Sequence, residues 1–325
     1  MENSKCSKYS PGQQVSTLWF TVVVPLFNKE RHVVRAVSSV LNQSHEQFEL
    51  IIVNDGSTDG SLKALDMFKS ELRLMIVSQT NQGVSAARNT GIKAARHPYI
   101  AFLDADDEWK PNFLSSIAEL IKKFPNAGAF CTAYEFREGD KAPYPSFHYS
   151  EFKANWTGCI DNYFRHALKH PIVTASSVVV PKMILETLGG FYDNLRYGED
   201  LELWARIAKK YSIAYINSIE AVYNLVADNR SNVNLPRLEE SYAQYAEIEL
   251  DDFRKSGRVD EHYEEYVFQR NIILAHLHLA SSNRKEARRV LWKVRATRLN
   301  RRQWIVAFFR CFWLTNRIYD VIKKM

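Results

Sequence analysis

The chain has 325 residues, of which 46% are hydrophobic, with 12 Gly and 10 Pro. This composition is that of a globular protein with a sizeable core, and the length favours a domain with an appendage over a single small domain. No stretch reaches the roughly 18 uninterrupted apolar residues that a membrane-spanning helix needs. The net charge of +6 is unevenly distributed, because residues 283–325 hold 13 Lys and Arg against 2 Asp and Glu.

The first 17 residues are predicted to be a flexible polar tail. The apolar run that follows them is short, contains Pro25 and lacks a small-residue cleavage pattern. These features argue against a secretory signal peptide and for a tail that enters a strand.

Two periodicities alternate over the next 90 residues. Short β-branched or aromatic runs predict strands at 20–27, 48–55, 74–79 and 99–104, and helical patterns lie between them at 30–44, 61–72 and 84–96. Strands separated by single helices predict an α/β fold with a mainly parallel sheet. In such sheets, ligands bind outside the carboxyl ends of the strands.

Four aspartates follow predicted strands directly, namely Asp55, Asp104, Asp106 and Asp107. If they gather at one edge of the sheet, they repel one another unless a cation lies among them. Mg²⁺ or Mn²⁺ with a substrate's phosphate oxygens meets that requirement. The alternative is that Asp is frequent in loops because it suits turns and helix N-caps.

Five motifs in the order and spacing of one known family extend this prediction. They stand at 22–30 (VVVPLFNKE), 51–61 (IIVNDGSTDGS), 81–92 (NQGVSAARNTGI), 101–109 (AFLDADDEW) and 188–208 (LGGFYDNLRYGEDLELWARIA). Over about residues 18–230 the chain resembles family 2 glycosyltransferases. The resemblance implies a GT-A (Rossmann-like) fold, a mixed and mainly parallel sheet flanked by helices, and inverting transfer from a nucleotide-diphosphate sugar.

The resemblance places the nucleobase of the donor near the first two motifs. Pro25 and Phe27 are expected to line the base pocket with Glu30 close by, and Asp55 is expected to accept a hydrogen bond from the base, commonly a uracil. A UDP-sugar is therefore the favoured donor. The alternatives are that Phe27 packs in the core and that Asp55 belongs to an ordinary turn.

The same resemblance assigns the ribose and diphosphate side. Asn81 is expected to contact the base or ribose, and Arg88 either the diphosphate or the neighbouring carboxylates. Asp104, with Ala105 beside it, would contact the ribose or the metal's waters, and Asp106 would bind the metal, Mn²⁺ or Mg²⁺. Asp107 is either an alternate ligand or the N-cap of a helix over 108–124.

The fifth motif predicts a helix that begins at Glu199 and Asp200. The resemblance makes Asp200 the general base that deprotonates the acceptor hydroxyl, with Glu199 helping to place the acceptor or the base. Because a helix N-terminus favours a charged carboxylate, Asp200 is expected to stay ionised. The alternative is that acidic residues are common in any first helical turn.

Two departures from the family pattern limit what the resemblance implies about the site and about the product. An aromatic-Arg-His segment is replaced here by a stretch with Tyr223 and Arg230 but no His, which leaves any metal or phosphate contact from that loop in doubt. The Gln-x-x-Arg-Trp motif and membrane spans of processive synthases are absent from the sequence. We expect transfer of one or a few sugars.

The chain is predicted to divide at 235. Residues 18–235 form the catalytic domain, with a nucleotide-binding half at 18–110 and an acceptor half at 111–235, and residues 236–325 form a helical appendage. Its last helix interleaves aromatic and basic residues over 301–325. That helix either lies on an anionic membrane or packs on the protein's own core, and a homodimer is a further alternative. No nucleic-acid partner is expected, because no recognised binding module is present.

The sequence therefore predicts a cytoplasmic, metal-dependent inverting glycosyltransferase, peripheral on the inner face of the membrane, that extends a glycan or lipid-linked glycan as in surface polysaccharide synthesis. The alternative is a catalytically inactive nucleotide-sugar-binding or scaffold protein of the same fold. A sugar nucleotidyltransferase is disfavoured, because residues 25–30 after the first strand contain no glycine for a phosphate-gripping loop.

Overall fold

The structure is a computed structural model, and it describes residues 17–168, 170–226, 240–242, 245, 250, 260–294 and 301–312. The chain forms two compact units. The first comprises Met1–Tyr163, His170–Asn194 and Glu199–Arg230, and the second comprises Phe164–Lys169, Leu195–Gly198 and Ser231–Met325. The predicted N-terminal tail up to residue 16, the predicted boundary at 235 and the end of the basic tail at 313–325 lie outside the described residues.

The first unit is built on one sheet of ten strands. They are β1 (Phe20–Leu26), β2 (Phe48–Asp55), β3 (Leu74–Gln79), β4 (Tyr99–Phe102), β5 (Glu108–Trp109), β6 (Ala129–Arg137), β7 (Tyr144–Pro145), β8 (Thr157–Cys159), β9 (Val178–Pro181) and β10 (Ile213–Asn224). The order across the sheet is β3-β2-β1-β4-β9-β6-β10-β5, with β7 beside β6 and β8 beside β10.

Helices flank this sheet. They are α1 (Val33–Leu41), α2 (Ser61–Ala64), α3 (Val84–Ala94), α4 (Phe113–Lys123), α6 (Lys182–Leu188) and α7 (Glu199–Lys210), with 3₁₀ turns at Leu65–Phe68, Phe147–Glu151 and Ala175–Ser177. A further short helix, α5 (Tyr163–Ala167), has all but its first residue in the second unit. On α1 the buried residues Val33, Val37 and Val40 recur at helical spacing and belong to the main hydrophobic core with β1 and β2.

The four strands predicted from the sequence form the parallel part of the sheet. Strands β3, β2, β1 and β4 are mutually parallel, and every residue of β1 and β2 is buried. Continuous apolar runs are what a parallel sheet covered on both faces requires. Consequently the ends of these strands, and the loops that carry the predicted site residues, lie along one edge. Strand β9 runs antiparallel to both β4 and β6, which makes the sheet mixed.

The predicted helix over 108–124 is wrong at its start. Glu108–Trp109 instead forms β5, which pairs antiparallel with β10, and α4 begins at Phe113. Pro111 disfavours helical geometry at the residue before it. In addition, the indole of Trp109 stacks on Phe113 with ring centroids 4.1 Å apart, and its Nε1 donates to the Ser176 carbonyl at 2.7 Å.

The described residues of the second unit are mainly helical. Besides α5, this unit contains α8 (Glu261–Ala280), α9 (Arg284–Trp292) and α10 (Arg301–Phe312). The Asp260 side chain caps α8 by accepting from the His262 amide, and Tyr263 and Tyr266 are fully buried. Within the described part of the chain, no helix combines the length and the apolar character needed to cross a membrane.

Candidate donor and catalytic site

Two loops join beyond the ends of β1 and β2. Asn28 has a left-handed conformation at φ 52°. Its side-chain Oδ1 accepts a hydrogen bond from the Thr58 main-chain N–H at 2.8 Å, and its main-chain N–H donates to the Ser57 hydroxyl at 3.1 Å. The Glu30 carboxylate accepts from the Gly60 amide at 2.8 Å. Just before this junction the Phe27 side chain is 39% exposed, whereas Pro25 is buried inside β1. An exposed ring fixed beside a braced loop is suited to contact a flat ligand.

Asp55 organises the next loop. Its carboxylate accepts hydrogen bonds from Gln79 Nε2 at 2.8 Å, from the Gln82 amide at 2.9 Å and from the Gly83 amide at 2.8 Å. Gly56 follows at φ +74°, and a Cβ there would lie 2.9 Å from the Asn81 amide nitrogen. Asn81 therefore lies against Gly56, and the close approach of the two loops requires the glycine.

Asp104 and Asp106 lie beyond the end of β4, on either side of the buried Ala105. Their side chains are 29% and 17% exposed, and the Asp106 carboxylate pairs with Lys29 Nζ at 2.8 Å. The main-chain carbonyl of Asp106 accepts from Arg35 and from the Asn224 amide group, which fixes this turn. Two partly exposed carboxylates separated by one residue offer the oxygen ligands that Mg²⁺ and Mn²⁺ prefer, so the residues present fit such an ion.

Asp107 is neither a helix N-cap nor an exposed ligand. Its carboxylate is buried and accepts from the Ser176 hydroxyl at 2.6 Å and from the Asn224 amide at 2.9 Å. Burial, reinforced by the charges of Asp106 and Asp104, raises the pKa of Asp107 well above its usual range. Ser176, which also accepts from the Asp104 amide at 3.2 Å, joins the acidic turn to the 3₁₀ segment before β9. No sequence pattern identified Ser176.

Arg88 connects the two halves of the site. Its guanidinium donates to Asp104 Oδ1 at 2.7 Å and to Glu199 Oε1 at 2.8 Å, and it is only 2% exposed. The Phe191 ring packs against it at 5.2 Å. Burial opposes the charged form, but the two carboxylates outweigh it and raise the pKa of Arg88, so the group stays cationic. Of the two roles predicted for Arg88, the structure contains the contacts with neighbouring carboxylates.

Asp200 lies in the first turn of α7, next to Glu199. Its Oδ1 accepts from the Leu201 amide at 2.8 Å. Burial, followed by the charge of Glu199, raises the pKa of Asp200 to about 7, although Arg88 acts in the opposite direction. The raised pKa of Asp200 is contrary to the expectation that the helix N-terminus keeps this carboxyl ionised, because desolvation and the charge of Glu199 both favour the neutral form. A pKa near 7 instead suits a proton acceptor at neutral pH.

The segment between α6 and α7 is attached to α3 through Asn89, which follows Arg88. The Asn89 amide group donates to the Phe191 carbonyl and to Asp193, both at 2.7 Å, and accepts from the Phe191 amide at 2.9 Å. Gly190, at φ +69°, approaches so closely that a Cβ would lie 2.5 Å from Asn89 Oδ1. The third and fifth motifs are thus joined by direct hydrogen bonds.

A buried ion pair inside α7 supports the same segment. Arg206 pairs bidentately with Glu202, at 2.6 Å for one of the two bonds, and donates to the carbonyls of Leu188 and Gly190. Glu202 is fully buried and Arg206 is 8% exposed. The sequence predicts an apolar face at Leu201, Leu203, Trp204 and Ile207, of which the last three are buried and Leu201 is half-buried. The pair was not predicted. Its sequence signal is the spacing of four residues between opposite charges on one helix.

Of the loop after β10, only Leu225 and Val226 lie within the described residues. Tyr223 lies in β10, with its ring 5.8 Å from that of Phe136, and Arg230 lies outside the described residues.

The mixed sheet, with acidic residues and a buried arginine at the ends of its parallel strands, is that of a GT-A glycosyltransferase. A solved structure of Staphylococcus aureus TarS, residues 1–349 in complex with UDP-GlcNAc, has the same fold at a TM-score of 0.63 and 18% identity, covering 90% of this chain and 80% of that one. The mannosyltransferase PcManGT from Pyrobaculum calidifontis, in complex with GDP-Man and Mn²⁺, superposes at a TM-score of 0.56 and 19% identity over 90% and 87% of the two chains.

The model of the family described as glycosyl transferase family 2 matches residues 21–189, and this chain belongs to that family. TuaG of Bacillus subtilis, named as a glycosyltransferase of teichuronic acid biosynthesis, is 31% identical over 240 residues, which is 73% of this chain and 90% of TuaG. The protein is therefore a glycosyltransferase.

Proposed function

We propose that this glycosyltransferase uses a UDP-sugar and a divalent metal, and transfers the sugar with inversion to a hydroxyl group of a glycan or lipid-linked glycan. The observation that carries the proposal is the position of Arg88, which holds Asp104 of the donor side and Glu199 beside Asp200 on one guanidinium. This contact brings the donor and acceptor motifs to one edge of the sheet. An enzyme that moves a group between two substrates needs that proximity.

The donor side would bind the nucleotide by stacking and hydrogen bonding. Phe27 offers an exposed ring face, and Asp55 lies at the end of β2 with its carboxylate fixed by three hydrogen bonds. A fixed acceptor can recognise a ring N–H of uracil, with Asn81 next to it for the base or the ribose. The UDP-GlcNAc in the TarS complex supports a uridine nucleotide, and the GDP-Man in the PcManGT complex makes GDP the competing choice.

Asp106 and Asp104 would hold the metal. Both carboxylates are partly exposed, and the Mn²⁺ in the PcManGT complex supports a divalent ion in this fold. Such an ion, when bound, neutralises negative charge on the departing nucleoside diphosphate. Lys29 Nζ lies 2.8 Å from the Asp106 carboxylate, and this ion pair supports Asp106 as the place where a cation binds.

Asp200 would act as the base. Its carboxylate takes the proton of the acceptor hydroxyl while that oxygen forms a bond to the anomeric carbon of the donor sugar. At the same time the bond from that carbon to the diphosphate oxygen breaks, and its electron pair leaves with the nucleoside diphosphate. A single displacement of this kind inverts the anomeric centre. Glu199, held by Arg88 at 2.8 Å, would fix the start of α7 and so help to place the acceptor or Asp200.

The acceptor is proposed from the relatives. The name of TuaG refers to teichuronic acid biosynthesis, which supports a glycan or lipid-linked glycan acceptor and a role in surface polysaccharide synthesis. Since nucleotide-sugar donors are cytoplasmic metabolites, we propose that the protein is located in the cytoplasm, at the inner face of the membrane.

The test is thermal stability with UDP, GDP, dTDP and CMP, each with and without Mn²⁺. A ligand that binds only the folded state increases the free energy of unfolding, by about 2.7 kcal/mol when its concentration is a hundred times its Kd, and so raises the melting temperature. We expect UDP to do so only with Mn²⁺, and Asp106→Asn to abolish the rise. Asp66→Asn, which changes an exposed aspartate on the 3₁₀ turn before β3, is the matched control and should leave it intact. A rise in melting temperature that is the same with and without Mn²⁺, or no rise with any nucleotide, would contradict the proposal.

A further inference from the structure

The last described helix, α10, packs against the rest of the second unit through small residues. Ala307 and Cys311 of α10 are fully buried, and the Cys311 carbonyl accepts from the guanidinium of Arg288 in α9 at 2.8 Å. The Trp304 indole donates to the Val294 carbonyl at 3.0 Å. Because small residues make the contact, the large side chains of α10 are left at the surface or at its margin. The helix is therefore docked on its own unit and still presents a second face.

That second face is apolar. Trp292 at the end of α9 is 81% exposed, and Phe309 and Ile305 of α10 are 47% and 37% exposed. Beside them an open groove of about 330 Å³ is lined by Leu291, Trp292, Val294, Trp304 and Phe308. The Trp304 and Phe308 rings stack at 5.1 Å and form one wall. A cluster of exposed aromatic side chains around a groove marks an interaction surface.

The helices that line this groove are rich in positive charge. Glu286 is the sole acidic residue in the sequence from 283 to 312, whereas ten residues there are Lys or Arg. Exposed basic side chains of α9, α10 and the residue after α9 are Lys285, Arg288, Arg289, Lys293, Arg301 and Arg302. We call the exposed aromatics, the groove and these cations together the basic aromatic surface.

We propose that the basic aromatic surface docks on an anionic lipid bilayer. Aromatic side chains prefer the boundary between head groups and acyl chains, and each Lys or Arg near an anionic surface strengthens binding roughly fivefold. A second copy of this chain would present the same positive charge, so repulsion disfavours a symmetric dimer through this face. The groove is lined by apolar atoms of Leu291 and Val294 as well as by rings, which suits acyl chains better than nucleic-acid phosphates.

This inference does not depend on the proposed donor or metal, because every residue that carries it belongs to the second unit. The two proposals can therefore fail separately. Loss of vesicle binding with unchanged UDP binding would remove only the docking surface.

The experiment is co-sedimentation of the full-length protein with vesicles of phosphatidylcholine alone and of an equimolar mixture with phosphatidylglycerol. Two double variants separate the contributions: Trp292→Ala with Phe309→Ala, and Arg301→Glu with Arg302→Glu. Controls of matched exposure in the first unit are Leu72→Ala with Met183→Ala for the apolar pair, and Lys69→Glu with Lys141→Glu for the basic pair.

We expect the wild type and both controls to bind the anionic vesicles, with binding that weakens as salt is raised. The aromatic variant should lose roughly tenfold in partition, and the charge-reversal variant at least roughly 25-fold. Both should keep the wild-type melting temperature, which shows that they fold. No wild-type binding, equal binding to neutral vesicles, or losses equal to those of the controls would overturn the proposal. So would a dimer that the aromatic variant converts to monomer in light scattering without vesicle binding, or competition by RNA but not by lipid.

Discussion

Replacing Asp200 with Asn tests whether the Asp200 carboxyl group lies in an environment that disfavours its charged form. In the folded protein, burial and Glu199 raise the pKa of Asp200 to about 7 from a usual value of 3.8. At any pH between 3.8 and 7, the Asp200 carboxyl is mostly protonated in the folded state and mostly ionised in the unfolded state. Stability from this group is therefore highest below pH 4 and falls as pH rises to 7. Asn is nearly isosteric and does not titrate, so the variant should not follow this decline.

The size of the effect follows from the shift. Each pKa unit corresponds to about 1.4 kcal/mol, so a shift of about three units costs the wild type at most about 4 kcal/mol above pH 7. At pH 5 part of that cost is already present, which leaves a difference of about 2–3 kcal/mol between pH 5 and pH 8. We expect Asp200→Asn to gain stability relative to the wild type by this amount across the interval.

The assay is urea unfolding of both proteins at pH 5, 6, 7 and 8, at constant ionic strength and without nucleotide or metal. Glu119→Gln, which changes an exposed carboxylate on α4, is the control and should run parallel to the wild type at every pH. Parallel curves for Asp200→Asn and the wild type would refute the reasoning, because they would mean that Asp200 titrates alike in the folded and unfolded states.

Three further predictions concern the same cluster. Arg88→Met leaves two carboxylates without their shared cation and should cost about 3–5 kcal/mol in urea unfolding, against at most about 1 kcal/mol for the exposed Lys69→Met; equal losses would contradict this. Lys29→Met frees the Asp106 carboxylate and should tighten Mn²⁺ binding about three- to tenfold by electron paramagnetic resonance; unchanged or weaker binding would show that Lys29 does not compete. Turnover should rise about tenfold per pH unit below pH 7 and level off above it as Asp200 ionises; a flat profile would argue against Asp200 as the base.

The parallel part of the sheet was predictable because its sequence signal is local. β2 and β3 have the predicted bounds, and β1 ends one residue earlier than predicted. A strand buried on both faces needs an unbroken apolar run, and turn residues close each run. The α3 and α7 helices begin at the predicted residues, Val84 and Glu199, for the corresponding reason that a helical period sets in there.

Features that depend on distant parts of the chain were not predictable. β5 has two residues and exists because β10 pairs with it and Trp109 reaches Ser176. Nothing in the sequence near Trp109 signals either partner. The role of Asp107 is similar, since its burial depends on Ser176 and Asn224, which lie 69 and 117 residues further along the chain.

The sequence predicted which residues belong to the site, but not the contacts between them. Motif similarity named Arg88 and Glu199, and the structure adds that they contact each other across 111 residues. The raised pKa of Asp200 was missed because a helix N-terminus is visible in a sequence, whereas desolvation is set by the packing of the whole cleft. The Arg206–Glu202 pair was missed because its spacing of four residues is visible in the sequence, whereas the burial of both side chains is not.

The central claim is that donor binding and transfer depend on two different carboxylates of one cleft. It is tested most directly by measuring Mn²⁺-dependent UDP binding and donor turnover on the same samples of wild type, Asp106→Asn and Asp200→Asn. The account predicts that Asp106→Asn loses the binding, and that Asp200→Asn keeps it but loses turnover by a factor of about 10² or more. Full turnover in Asp200→Asn, or undiminished metal-dependent binding in Asp106→Asn, would contradict it.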